Sequence, residues 1–157
     1  MAGNYDDIDV RWTWNGDYGL GLDGDLLDTT NDALLSLIQD CHTICASELN
    51  DWEVYPNLGA SLDDFIGEPN TRSRGSLIHD RVQLALVNAG IVADRDLTVN
   101  VVPIHRHKVL IILTINVVPT ASNGLDPQTG AVRTALVFDF VEQGMLFWDA
   151  IPQLTAQ

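Results

Sequence analysis

The stretch Leu97-Thr98-Val99-Asn100-Val101, the link His105-Arg106-His107-Lys108 and the run Val109 to Val118 together decide the fold. In the first part apolar and polar residues alternate, the period-two pattern of a strand with one buried face. The second part is nearly all apolar and reads as a central strand, with Ile112 near its middle. The polar link between them makes the pair a β-hairpin.

Working toward the C-terminus, the loop Ala121–Gly130 contains Gly and Pro and separates the hairpin from a third strand, about Val132 to Val141. There Val132, Thr134, Leu136, Phe138 and Phe140 alternate with Arg133, Ala135, Val137, Asp139 and Val141. The first set is expected to face the helices, and Arg133 and Asp139 to face outward on an exposed sheet edge. Residues 143–157 form an aromatic tail whose Met145-Leu146-Phe147-Trp148 is too apolar to be left in solvent. It is expected to fold back on the sheet or to await a partner.

Working toward the N-terminus, the period changes to that of helices. Leu77, Ile78, Val82, Ala85 and Ala89 form the inner stripe of a helix capped by Asn70 or Thr71, running to about Asn88 and stopped by Gly90. Before it, Gly67-Glu68-Pro69-Asn70 ends a short helix, Leu62 to Ile66, that Ser61 is expected to cap. Leu34, Leu37, Ile38, Cys41, Ile44 and Cys45 mark an amphipathic helix from the Asp28-Thr29-Thr30 caps to about Leu49. Residues 1–28 hold a short strand (Val10, Trp12, Trp14) and the Gly-rich loop Asn15–Gly24. The fold class is therefore α+β: N-terminal helices packed on a small, mostly antiparallel C-terminal sheet, as a single domain over 1–157.

The net charge of −14 disfavours direct binding of nucleic acid, because a surface this negative repels phosphates. No apolar run approaches the roughly 18 residues of a membrane helix, and the acidic opening Met1–Asp7 is unlike a signal peptide. The charge is unevenly spread. Residues 1–40 hold nine Asp against Arg11, a net of −8, whereas six of the eight basic residues lie between Arg72 and Lys108. Either the chain has different neighbours on different faces, or its acidic end is simply solvated. Cys41 and Cys45 are read as buried, reduced thiols, since a disulfide within one helix is strained.

These residues offer the outlines of several chemistries. A glycan hydrolase needs paired carboxylates, one of them kept protonated by an apolar pocket. Among four Glu, only Glu53 beside Trp52 has that outline, with Glu68 as the other candidate for a muramidase-like reading. Gly19 to Gly24 resembles a phosphate loop only in its glycines, since aspartates surround it. His105 and His107 share one side of an extended segment as conceivable zinc ligands, against the bland reading of a polar turn beside Arg106 and Lys108. Asp23, Asp25 and Asp28 offer oxygens for a calcium-stabilised adaptor, against helix capping and solvation. No catalytic residue, metal ligand or cofactor is assigned on this basis, and the chain is expected not to be an enzyme.

From Asp25 to Ile115 the chain resembles the sheath-initiator family of contractile tails, baseplate wedge proteins found in T-even and Mu-like phages and in type VI secretion. The resemblance runs through Asp25-Leu26-Leu27, Tyr55-Pro56-Asn57-Leu58-Gly59-Ala60-Ser61-Leu62, Asp64-Phe65-Ile66-Gly67-Glu68-Pro69-Asn70-Thr71-Arg72, the helix with Ile78 and Ala85, and the apolar hairpin. Where the family carries Glu-Pro-Arg before the strands, this chain has Ala93-Asp94-Arg95 and keeps only the arginine. Some relatives bear a lysozyme-like label, which these residues do not support.

The resemblance implies a virion protein of the tail baseplate, assembled in the host cytoplasm. Its implied partners are other baseplate wedge proteins, the tail sheath protein, and tail tube or hub proteins. Glu68, Pro69, Arg72, Arg74 and Arg95 are the expected wedge-docking residues, the arginines gripping acidic or carbonyl groups unless they merely solvate the surface. Arg133, Ala135, Val137 and Asp139 are the expected edge for sheath strand addition.

Overall fold

The computed structural model describes residues 10–11, 18–29, 33–116, 131–141 and 145–147. The sequence expectations for Trp12, Trp14, the loop 121–130, Val117, Val118 and Trp148 fall outside the described residues.

The fold is α+β. Two helices, α1 (Ala33–Ala46) and α2 (Arg72–Asn88), lie against an antiparallel sheet of β1 (Leu97–His105), β2 (Lys108–Ile115), β3 (Val132–Asp139) and β4 (Met145–Phe147). The strand order is β1-β2-β3-β4, so each strand pairs with its sequence neighbour. Leu97 pairs with Ile115 at one end of the hairpin and His105 with Lys108 at the other, with an irregularity between Pro103 and His105. The expected hairpin is there, and its second strand is central.

Burial alternates with period two through β2 and the first half of β3, whereas residues 136–140 are all buried. Val109, Ile111, Leu113 and Ile115 of β2 are buried beneath the helices. So are Val132, Thr134, Leu136 and Phe138 of β3, with Phe140 just beyond it. Phe138 and Phe140 meet edge to face, ring centroids 5.2 Å apart. The stripe of α2 is Ile78, Val82, Ala85 and Leu86. Leu77, expected on that stripe, is instead 45% exposed. Positions 78, 82, 85 and 86 are spaced by three and four, which turns the neighbouring 77 toward solvent.

α2 begins where expected. The Thr71 side chain accepts a bond from the Arg74 amide, and Asn70 donates its side-chain amide to the carbonyls of His105 and Lys108, fastening the helix start to the hairpin turn. Ser61 is no cap: its φ is 47°, and its hydroxyl accepts from the Leu49 amide while a 3-10 turn, Leu62–Phe65, follows.

The Ile44 carbonyl near the end of α1 and the Ser47 carbonyl just past it accept from the returning chain, since Ala60 donates to both and Ser61 donates to Ser47. Only glycine fits at 59 for this close pass. Its φ is +126°, and an added Cβ would stand 2.6 Å from the Glu48 carbonyl.

α1 is enclosed more fully than an amphipathic helix need be. Besides Leu37, Ile38, Cys41, Ile44 and Cys45, its polar Ser36, Gln39 and His42 are buried. Gln39 donates its amide to the Val10 carbonyl, so the N-terminal segment lies against the helix face expected to be wet. The cysteines are free, and burial pushes the Cys41 thiol up to about 12 and the Cys45 thiol higher than usual.

His42 Nε2 lies 2.9 Å from the Thr134 hydroxyl, and burial lowers its pKa to about 4. Loss of solvent raises half-buried Asp40 to about 6. The two act on stability in opposite senses. His42 favours the fold fully above its unfolded pKa of 6.5, and this is lost as pH falls toward 4. For Asp40 the favourable contribution is complete below 3.8 and is lost as pH rises through 6. Thermal melts across this range are expected to show a flatter acid loss for His42→Asn than for the parent, by about 3 kcal/mol at most, and a steeper one for Asp40→Asn.

Candidate functional site

Of the two edge strands of the sheet, β1 and the three-residue β4, β1 is the longer open edge. Among the described residues no strand pairs with its outer side, whereas β3 lies between β2 and β4. The direction of its backbone follows from the ladder. Asn116 donates to the Asp96 carbonyl, so even-numbered positions of β1 turn their amides and carbonyls toward β2. Leu97, Val99, Val101 and Pro103 therefore turn theirs outward. Leu97 already donates to Asp94, which leaves the amides of Val99 and Val101 as outward donors. Pro103 has no amide to offer and sits where a strand tolerates that lack.

A groove of about 730 Å³ runs beside this edge, between α2 and β1. Thr71, Arg72, Gly75, Ser76 and His79 line it from the helix, and Val99, Val101 and Pro103 from the strand. Gly75 is unusual, because glycine inside a helix costs about 1 kcal/mol relative to alanine. A Cβ there would meet Val101 Cγ1 at 3.8 Å, an ordinary contact, so no clash demands the glycine. What it does is keep the helix side of the groove low. The groove thus joins unpaired backbone groups to a polar helix wall and an apolar strand wall, which suits an extended peptide segment.

The edge expected from sequence is corrected in part. β4 pairs Phe147, Leu146 and Met145 with Leu136, Val137 and Phe138, so this half of β3 is internal, while among the described residues no strand pairs with the outer side of Val132 to Ala135. Arg133 is exposed and Ala135 half-buried, but Val137 is buried. Asp139 is 3% exposed rather than outward; its carboxylate holds Lys108 Nζ at 3.1 Å and accepts from the Val141 amide. Pairing Lys108 with Asp139 across the ladder turns a residue expected to blunt an edge into an internal tie.

The expected wedge-docking residues do not form one site. Glu68 and Arg74 are paired with each other at 2.6 Å. Pro69 is exposed beside them, and Arg72 is exposed on the groove wall. Arg95 lies beyond the other end of α2, about 25 Å away by helix rise; it is 80% exposed and 3.4 Å from Asp96. Only Arg72 stands at the edge described above.

The other candidates find little support in the geometry. Glu53 is exposed on the turn after Leu49, and Trp52 beside it donates its indole N–H to Ser47, so no apolar wall encloses the carboxyl. Glu48, a residue sequence reasoning passed over, has its pKa raised by a hydrogen bond to Asp63 and by the surrounding carboxylates, while fully exposed. Asp23 accepts from the Asp25 amide within its own turn. Among the described residues no group of three His, Cys, Asp or Glu side chains is placed to hold a metal ion. Nor, among them, is any helix long and apolar enough to cross a membrane. No protein family, curated protein or solved structure matches the chain.

Proposed function

We propose that this chain is a structural assembly subunit that receives an extended segment of a partner protein on the open β1 edge. The observation that carries the proposal is that edge itself, with outward amides at Val99 and Val101 beside a groove kept open by Gly75. Main-chain hydrogen bonds would supply affinity, and alternate side chains of the incoming strand would enter the groove. The resemblance to sheath initiators gives the partner: a strand from the first ring of tail sheath subunits, with the chain itself held in the baseplate by neighbouring wedge proteins. Arg72, on the groove wall, is suited to an acidic or carbonyl group of the incoming segment.

Gly75→Leu tests this. The substitution removes a poor helix former and puts a side chain into the groove, so the protein is expected to fold with equal or higher melting temperature. Tails assembled with it and viewed by electron microscopy are expected to have baseplates that contain the chain but lack sheath. Normally sheathed tails would remove β1 as the receiving edge.

A further inference from the structure

Two exposed surfaces on this chain complement each other in charge and in apolar character. One is the turn within residues 18–28. It is a built element: Leu20 bridges Leu26, Gly21 donates to Asp25, Leu27 donates to Gly19, and Arg11 donates to Leu27. It nonetheless leaves Tyr18, Leu20, Leu22 and Leu26 exposed, flanked by Asp23 and Asp25, with Leu22 at its apex wholly in solvent. The other is the β1–β2 hairpin tip. There Val102 and Ile104 are exposed next to His105, Arg106 and His107. Lys108 is occupied by Asp139, but among the described residues Arg106 has no ion-pair partner.

We infer that the acidic, leucine-bearing turn of one copy docks on the basic hairpin tip of a second copy, in a head-to-tail contact. Both surfaces belong to the same chain and neither is covered by its described residues, so the partner whose charge and apolar character match is a second copy. A head-to-tail contact of this kind builds a ring or a row, whereas reciprocal docking of the same two surfaces would close a two-fold pair. The overall charge of −14 opposes any association of copies. At physiological salt, however, charges beyond about 8 Å are largely screened, so the local pairing of Arg106 with Asp23 and Asp25 decides the encounter. A handful of side chains on each surface is far fewer than the roughly 20–30 of a stable interface, which makes the contact weak and dependent on local concentration.

Sedimentation velocity on the full chain at physiological salt tests it, with protein raised toward millimolar concentration. The parent is expected to sediment faster as concentration rises. Arg106→Glu, and separately Asp23→Lys with Asp25→Lys, are each expected to weaken association at least about tenfold, by setting like charges face to face. A chain carrying all three changes restores opposite charges and is expected to return to within about threefold of the parent. Every altered position is exposed, so unchanged melting is the control for folding. A parent that stays monomeric, single-surface variants that associate like the parent, or a triple variant no better than the single ones would each overturn the inference. None of these measurements involves sheath protein, so they stand apart from the test of the receiving edge.

Discussion

Ile78→Asp is expected to leave the chain unfolded at room temperature. Ile78 is 0% exposed in the middle of the core formed by α2, β1 and the 3-10 turn. The change forfeits about 1.5–3 kcal/mol of apolar burial. It also buries a carboxyl with no partner, which adds a further several kcal/mol whether the group stays charged or takes up a proton. Together these approach the about 5–15 kcal/mol that holds a typical domain folded. Leu77→Asp, one position along, is expected to shift stability by less than about 1 kcal/mol, because that side chain already meets water. Circular dichroism and melting of the two variants read the register of α2 directly. An Ile78→Asp chain that melts like the parent would mean that the buried stripe is misplaced.

That contrast also marks how far the sequence could be read. The hairpin, the central position of the second strand and the extent of α2 were legible because each rests on a sustained pattern, whereas the alternation expected of β3 holds only in its first half, since Val137 and Asp139 are buried as well. Leu77 and Ile78 were not separable, because two adjacent apolar residues both satisfy a helical stripe until the partner surface is known. The enclosure of His42 and Gln39 on α1 depends on the N-terminal segment and on Thr134, distant in sequence, and so left no local pattern. The edge was only half legible for a related reason. The apolar Met145-Leu146-Phe147 was expected to fold back on the sheet or to await a partner, but a three-residue strand shows no alternation to say that it would cover Leu136 to Phe138 of β3. Gly75 was passed over because a glycine within a helical pattern carries no sign of the groove it opens.

The second large effect is expected from Val101→Pro. Residue 101 turns its amide outward, so proline there removes a donor that the β1–β2 ladder does not use. The variant is expected to fold and, under the function proposed above, to lose uptake of sheath. Asn100→Pro makes the matching control, since residue 100 faces Ile112 across the ladder. Removing that amide breaks an internal hydrogen bond and is expected to cost stability of about 3 kcal/mol, lowering the melting temperature by roughly 6–12 °C. The pair separates docking from folding within two adjacent residues. If Val101→Pro loses as much stability as Asn100→Pro, the alternation of the edge has been read one residue out of phase. If it folds and still takes up sheath, the incoming strand goes elsewhere.

The most direct measurement is amide hydrogen exchange on the free protein and on its complex with tail sheath protein, resolved at single residues. In the free chain the amides of Val99 and Val101 should exchange quickly, while those of Asn100 and Val102, facing β2, exchange slowly. In the complex Val99 and Val101 should slow as the partner strand accepts their hydrogen bonds. A complex in which these two amides keep their free rates, or the absence of any complex, would contradict the assignment of β1 as a receiving edge for sheath.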